Sequence, residues 1–516
     1  MEQFFYSVLS ILFLFYGVAD AQPDTLRIDT GLVTGVSESG STVHAYKGIP
    51  YAAPPVGDLR WQPPQPPTTW EGVYHATDFA STCMQKHPPK GSFYQVEFFQ
   101  EPEPMSEDCL YLNVWTGAES AENLRPVMMW IHGGAFSQGS GSMPTFNGNA
   151  FAKSGVVLVT LNYRLGIFGL LAHPQLTAES EHNSSGNYGL LDQVAALQWI
   201  QQNIDAFGGN PNNVTVFGQS SGAGSINKLM ASPLTKGLFD RAILQSGSAY
   251  TFGKTQALEQ AEQNGETVTK LLGTSSIEGL RSWPASKLLD KTSQFSFRPS
   301  IDGWFLPDEV YSIFEEGRQH DIPILAGSNA DEGTTLRGPK LDAKIFTNII
   351  HQTYGEDAKN FLALYPHQTD QQARNSFNKG WRDEMAWGAH TLARIHTKQH
   401  SQKAWLYYFS NVPPGRNSQR YGAFHSAEIA YVFNTLTAVD RPWQKQDHQL
   451  ADLMRSYWVN FASEGNPNSK QLPKWPPYDA RERKVLELGN TIEPQIILQG
   501  DVLEFYNKQY VRPKEE

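Results

Sequence analysis

One short run sets the strongest constraint on this chain: Val214-Thr215-Val216-Phe217-Gly218-Gln219-Ser220-Ser221-Gly222-Ala223-Gly224. An apolar β-type segment feeds directly into G-x-S-x-G, and small residues that can enter a helix follow. A strand that turns sharply into a helix holds the serine at its tip in a strained, exposed position. Glycine at 218 and 222 removes Cβ atoms that would collide in so tight a turn. Ser220 is therefore the candidate nucleophile, and the chain a candidate hydrolase. The pentapeptide alone is weak, since a chance match in a chain this long has a probability of roughly 0.2. The strand before it and the small residues after it carry the inference.

A serine hydroxyl needs a base, and in elbow-type sites the order along the chain is Ser, acid, His, each on a loop after a strand. Strands are expected at Val127–Ile131, Val156–Asn162, Val214–Phe217, Ala242–Gln245, Ile322–Ala326 and Ala404–Phe409, several of them continuous apolar runs suited to burial on both faces. Helices are expected at Leu190–Phe207, from the elbow onward, and at Glu259–Leu272, Ala343–Tyr354, Arg382–His400 and His448–Ser463. This alternation points to α/β architecture. The strand at 322–326 leads into Gly327-Ser328-Asn329-Ala330-Asp331-Glu332-Gly333, where either Asp331 or Glu332 can be the acid. The strand at 404–409 leads through a Pro/Gly/Asn loop to His425, the best candidate base. His351, His390, His396, His400 and His448 fall in helical patterns, where a solvated histidine is the simpler reading. Upstream, Trp130-Ile131-His132-Gly133-Gly134-Ala135-Phe136 is a strand followed by a glycine turn able to present backbone N–H groups to an oxyanion.

Bulk properties exclude other classes. The 516 residues carry 41 Lys and Arg against 52 Asp and Glu, a net charge of −11, which argues against a nucleic-acid partner. Residues 4–18 form an apolar run too short to span a bilayer comfortably, and Ala19-Asp20-Ala21 follows with small residues at the positions a signal peptidase reads. The expectation is a signal peptide over 1–21, cleaved after Ala21, and one domain over 22–516, secreted or periplasmic with no later span. The basic n-region of a typical signal is missing, so an uncleaved anchor is the alternative. Two cysteines, Cys83 and Cys109, suggest a bridge in an exported chain, with two free thiols as the alternative. Between Tyr46 and Trp70 the chain is rich in proline and reads as extended loop. Asn183 and Asn213 open glycosylation sequons, Asn213 in an apparent loop before the elbow strand. His396 and His400 have zinc-compatible spacing, but no third ligand stands nearby and no metal is expected. Gly139-Ser140-Gly141-Ser142 lacks the strand–turn–helix setting of a phosphate loop.

Ordered blocks extend the pattern from about Asp29 to Tyr506: YKGIPYAAPPVGDLRWQPPQP (46–66), SEDCLYLNVW (106–115), WIHGGAF (130–136), NYRLGIFG (162–169), GNYGLLDQVAALQWIQQNIDAFGGNPNNVTVFGQSSGAGS (186–225), AILQSGS (242–248), GSNADEG (327–333), HSAEIAYVF (425–433) and YWVNFASEGNPN (457–468). Together they resemble the type-B carboxylesterase family, the carboxylesterases and cholinesterases of the α/β-hydrolase fold. That resemblance implies a large mixed sheet flanked by helices, with long loops over an active-site gorge. It implies a Ser220–Glu332–His425 triad, choosing Glu332 over Asp331, and an oxyanion hole at the backbone N–H groups of Gly134, Ala135 and Ser221. It also implies a supporting role for Ser246 near the His–Glu pair and a Cys83–Cys109 bridge around a loop over the gorge.

Three positions depart from the family pattern. Gln219 stands where a glutamate is usual beside the nucleophile. Ala135 replaces a common glycine but keeps its N–H. Phe99 occupies the place where the cholinesterases carry a choline-stacking tryptophan. The expected function is hydrolysis of small-molecule carboxylic esters through an acyl-enzyme, without a cofactor. The alternatives are lipase-like or cholinesterase-like specificity, or a non-catalytic adhesion module of the kind that has lost the triad.

Overall fold

The molecule is known from a computed structural model that describes residues 25–38, 41–99, 104–119, 124–248, 255–336 and 340–510. The expected signal peptide lies outside the described residues.

Alternation along the central strands divides the core in two. Val216, Leu244, Ala326 and Leu406 enter one apolar cluster, while their neighbours Phe217, Ile243, Leu325 and Tyr407 enter the other. Successive side chains of a strand point to opposite faces, so a sheet buried on both sides needs continuous apolar runs. The main sheet has eleven strands among the described residues. In chain order they are β1 (Val36–Ser37), β2 (His44–Pro50), β3 (Tyr111–Thr116), β4 (Arg125–Ile131), β5 (Val157–Leu161), β6 (Gly209–Gln219), β7 (Arg241–Gln245), β8 (Ile324–Asn329), β9 (Ala404–Phe409), β10 (Val485–Leu488) and β11 (Pro494–Gln495). Their spatial order is β11-β10-β9-β8-β7-β6-β4-β5-β3-β2-β1. Strands β4 to β10 run parallel, and the pairs at either side are antiparallel.

Helices α1 (Tyr188–Asn203) and α2 (Ser221–Ala231) pack on the first face, α3 (Asp370–Gln399) lies against β8 and β9, and α4 (Ile429–Phe433) packs with α5 (Lys445–Glu464) on the second. The fold is that of the α/β-hydrolases, as the sequence blocks implied. Cys83 and Cys109 are bridged. No helix among the described residues is long and apolar enough to cross a membrane.

Three local expectations need correction. Asn213 lies inside β6 rather than in a loop, because the strand begins at Gly209 and passes a bulge before Val214. Its amide donates to the Ser463 carbonyl at 3.3 Å, and its oxygen accepts from Arg241. Helix α3 starts twelve residues earlier than its apolar periodicity suggests, at a capping box formed by Thr369 and Gln372. His390 and His396 on α3 are buried, not solvated. Packing of α3 on the sheet encloses both rings, and burial pushes each imidazole down to about 4. His396 Nε2 lies 2.8 Å from the Ile322 carbonyl. Among the described residues no group of three His, Cys, Asp or Glu could hold a metal ion.

Candidate active site

Strand register builds the site. Gln219, Gln245, Gly327 and Tyr407 form one row across β6, β7, β8 and β9. The chain therefore leaves all four parallel strands at nearly the same level. The crevice outside the carboxyl ends of parallel strands is where such sheets bind ligands. At the end of β6, Ser220 has φ 57° and ψ −121° and caps α2. Gly222 is held by close approach: a Cβ there would lie 2.0 Å from the Ile131 carbonyl oxygen. The collision that glycine avoids at 222 is thus mainly with β4, not across the turn itself. At Gly218 a Cβ would meet both the Ile131 oxygen at 2.6 Å and the Gly222 carbonyl carbon at 3.0 Å.

The three candidate triad residues converge. Ser220 Oγ lies 2.8 Å from His425 Nε2. His425 Nδ1 is hydrogen-bonded to Glu332 Oε2. With the ring proton on Nδ1, Nε2 accepts from the serine hydroxyl. All three side chains are buried. Burial opposes a charged His425, but the carboxylate and hydrogen bond of Glu332 outweigh it and raise the imidazole above its ordinary 6.5. The second oxygen of Glu332 accepts from the Asn329 N–H at 2.7 Å.

Asp331 is turned away from His425. Its carboxylate accepts from the Ala423 N–H at 2.9 Å and from the Asn378 amide at 2.8 Å. Backbone bonding between Asp331 and Ala423 ties the acid loop to the histidine loop. Gln219 donates to the His425 carbonyl at 2.6 Å, which holds His425 from its backbone side. Ser246 is buried with φ 48°, and its N–H donates to the Gly327 carbonyl at 2.9 Å.

Gly134 and Ala135 line the same cavity as Ser220 and His425. Gly134, Ala135 and Phe136 all have positive φ, at 112°, 55° and 57°, so the turn after β4 folds back over the elbow. The cavity measures about 690 Å³ including its mouth. Its wall is mostly apolar: Tyr94, Phe98 and Phe99 from the disulfide loop face it, with Met143, Phe146 and Ile429 among the other contributors. No Asp or Glu side chain is among the described residues that line it.

One group went unnoticed in the sequence. Glu428 is wholly buried three residues after His425. It accepts from the Asn329 amide at 2.6 Å and the Gln245 amide at 3.1 Å, and Trp458 Nε1 donates to Gln245 Oε1 at 3.0 Å. Burial, moderated by these hydrogen bonds, pushes its carboxyl up to about 7. A lone acid inside the apolar run Ala427–Phe433 was the available signal.

Residues 22–506 match the model of the carboxylesterase family. This chain belongs to the carboxylesterase family. The para-nitrobenzyl esterase of Bacillus subtilis (strain 168) is 37% identical over 486 residues, which cover 90% of this chain and 94% of that protein. The fumonisin B1 esterase of Sphingopyxis macrogoltabida is 36% identical over 90% of this chain and 86% of its own length. The mouse (Mus musculus) cholinesterase is 32% identical over 92% of this chain and 85% of its own. This carboxylesterase is a carboxylic ester hydrolase, which sets aside the non-catalytic alternative.

Proposed function

We propose that this carboxylesterase cleaves esters through a covalent acyl-enzyme with Ser220 as nucleophile, His425 as base and Glu332 as the acid that orients it. The observation that carries the reading is the continuous contact from Ser220 Oγ through both His425 nitrogens to Glu332, at the foot of an apolar cavity. His425 Nε2 takes the serine proton as Oγ attacks the ester carbonyl. Backbone N–H groups of Gly134, Ala135 and Ser221 receive the developing oxyanion. His425 then protonates the leaving alcohol as the carbonyl re-forms. A water, deprotonated by the same nitrogen, adds to the acyl-enzyme and releases the acid. Glu332 stabilises the imidazolium at both steps. No step calls for a cofactor.

An organophosphate should add one adduct to the peptide carrying Ser220. Ser220→Ala should abolish the adduct and lower turnover by about 10⁶-fold. Mass spectrometry and a p-nitrophenyl ester assay check both; an adduct at Ser221 or Ser225 overturns the assignment. We further propose neutral esters as substrates, supported by the apolar wall and by Phe99 at its edge. Export with cleavage after Ala21 completes the reading. N-terminal sequencing of exported protein should begin at Gln22, and an intact Met1 would refute the cleavage.

A further inference from the structure

The turn after β4 and the start of α2 must keep a fixed spacing if Gly134, Ala135 and Ser221 are to address one oxygen atom. The ladder between β4 and β6 sets their spacing up to Ile131 and Gly218, and the segments beyond need further ties. A compact polar cluster beneath the turn joins them. The Phe136 N–H donates to Ser221 Oγ at 3.2 Å. The Tyr163 hydroxyl donates to the His132 carbonyl at 2.7 Å, and the Ser221 side chain lies near that hydroxyl. The His132 ring stacks on the Tyr163 ring with centroids 4.4 Å apart and planes 20° from parallel. His132 Nδ1 lies 2.8 Å from the Gly133 carbonyl, directly before Gly134, the first proposed oxyanion donor. The Phe136 carbonyl in turn accepts from the Gly166 N–H at 2.7 Å.

All members are buried: His132 and Tyr163 are 1% exposed and Ser221 2%. Burial holds His132 down at about 4, so its ring is neutral across the neutral range and Nδ1–H is free to donate to Gly133. Burial likewise keeps the Tyr163 hydroxyl protonated, with only partial offset from Ser221. The Phe136 N–H, the Tyr163 hydroxyl and His132 Nδ1 each have an acceptor within hydrogen-bond reach. Buried hydrogen bonds of this kind rigidify what they join.

We propose that Tyr163 and the Ser221 hydroxyl form a clamp that sets the spacing between the oxyanion turn and the nucleophile's helix, with His132 as its stacking and hydrogen-bonding support. The inference rests on the triad and oxyanion reading given above. These are positioning groups: the Ser221 side chain and Tyr163 act through the backbone donors and never touch the ester.

Ser221→Ala keeps the Ser221 N–H and deletes only the hydroxyl; Tyr163→Phe keeps the stacked ring and deletes only its O–H. Each should lower kcat by about 10- to 50-fold, less than the ~10²- to 10³-fold lost when an oxyanion donor itself is removed. KM should stay within about twofold, because ground-state binding needs no oxyanion contact. Affinity for a trifluoromethyl ketone, whose hemiketal with Ser220 bears the oxyanion, should fall by the same factor as kcat. The double variant should lose little more than the worse single one, as for residues acting as one unit. His132→Asn, which places a donor near Nδ1, should keep more activity than His132→Gln, which places it near Nε2. A merely structural role would lower the amount of folded enzyme without moving inhibitor affinity. Unchanged kcat in Ser221→Ala, or a loss of kcat with unchanged ketone affinity, overturns the clamp. If the unmodified enzyme takes no organophosphate on Ser220, the triad reading fails instead, so the two failures are distinguishable.

Discussion

Two regions meet at the cavity and are built on different principles. The loops after β6, β8 and β9 leave a continuous parallel ladder at matched register, and further backbone or backbone–side-chain bonds cross between them. Among its described residues, the Cys83–Cys109 loop has only the short strand pair Thr82–Cys83 with Met105–Ser106 and a five-residue helix, Phe93–Glu97. Side chains hold it down. Phe93 packs on Tyr421 and Phe424, Tyr94 bonds Thr335 Oγ1 at 2.9 Å, and buried ion pairs join Glu97 to Arg441 and Arg60 to Glu107. On the proposed mechanism the first region supplies the reacting groups and the second supplies wall. Chemistry is thus tied to the sheet, whereas specificity hangs on contacts that substitution can alter without disturbing the ladder.

This contrast can be tested, starting with the largest effect. Glu332→Gln should lower kcat by about 10⁴-fold, as loss of a triad acid does. Asp331→Asn removes the carboxylate that accepts from the Ala423 N–H and the Asn378 amide but leaves the His425–Glu332 contact intact, and it should cost far less in the same assay; the reverse ranking would move the acid. The acid limb of kcat/KM should also shift. With His425 as the proposed base, the unmodified enzyme should lose activity as pH falls through a His425 pKa raised above 6.5, since a protonated imidazole cannot take the serine proton. Removing the Glu332 charge leaves burial to dominate, so the residual activity of Glu332→Gln should persist to lower pH.

Arg441→Met attacks the second region. It leaves the Glu97 carboxyl buried without its cation, which costs on the order of 3 kcal/mol when such a pair is broken. A lower Tm and a KM increase larger than the fall in kcat are expected. An unchanged KM would mean that the loop does not shape the bound state. The smallest effect concerns charge. A cation gains about 0.5–2 kcal/mol from an aromatic face, more from tryptophan than from phenylalanine. With Phe99 at the wall and Gln219 in place of a carboxylate, butyrylcholine should be no better than 3,3-dimethylbutyl butyrate in kcat/KM. A tenfold advantage for choline would break the proposal of neutral substrates.

The sequence was most legible where local chemistry and tertiary demand coincide. The run Val214–Gly224 reads as strand, turn and helix, and it folds so because each residue prefers what the fold requires. Ala404–Phe409 is a strand end to end, as its apolar run suggests. Residue pattern alone left Asp331 and Glu332 open. Both are carboxylates at the same strand end, and only the path of the chain turns one toward His425. Glu428 was hidden because its partners, Asn329 and Gln245, come from distant strands. The start of α3 was missed because its first turns are polar and rely on the Thr369 cap instead of an apolar face.

Four non-glycine residues at the carboxyl ends of neighbouring parallel strands have positive φ: Ala135, Phe136, Ser220 and Ser246. Side chains pay about 1–3 kcal/mol to sit in such sparsely populated conformations. An engineer who selects variants of this enzyme for heat tolerance alone would therefore meet a gradient pointing into the active site. Glycine at 135, 136 or 246 relaxes backbone that, on the proposed mechanism, holds the oxyanion N–H groups and the nucleophile at one angle, and glycine at 220 deletes the proposed nucleophile outright. Screens for robustness should hold these four positions constant and look for their gains at the far edges of the sheet.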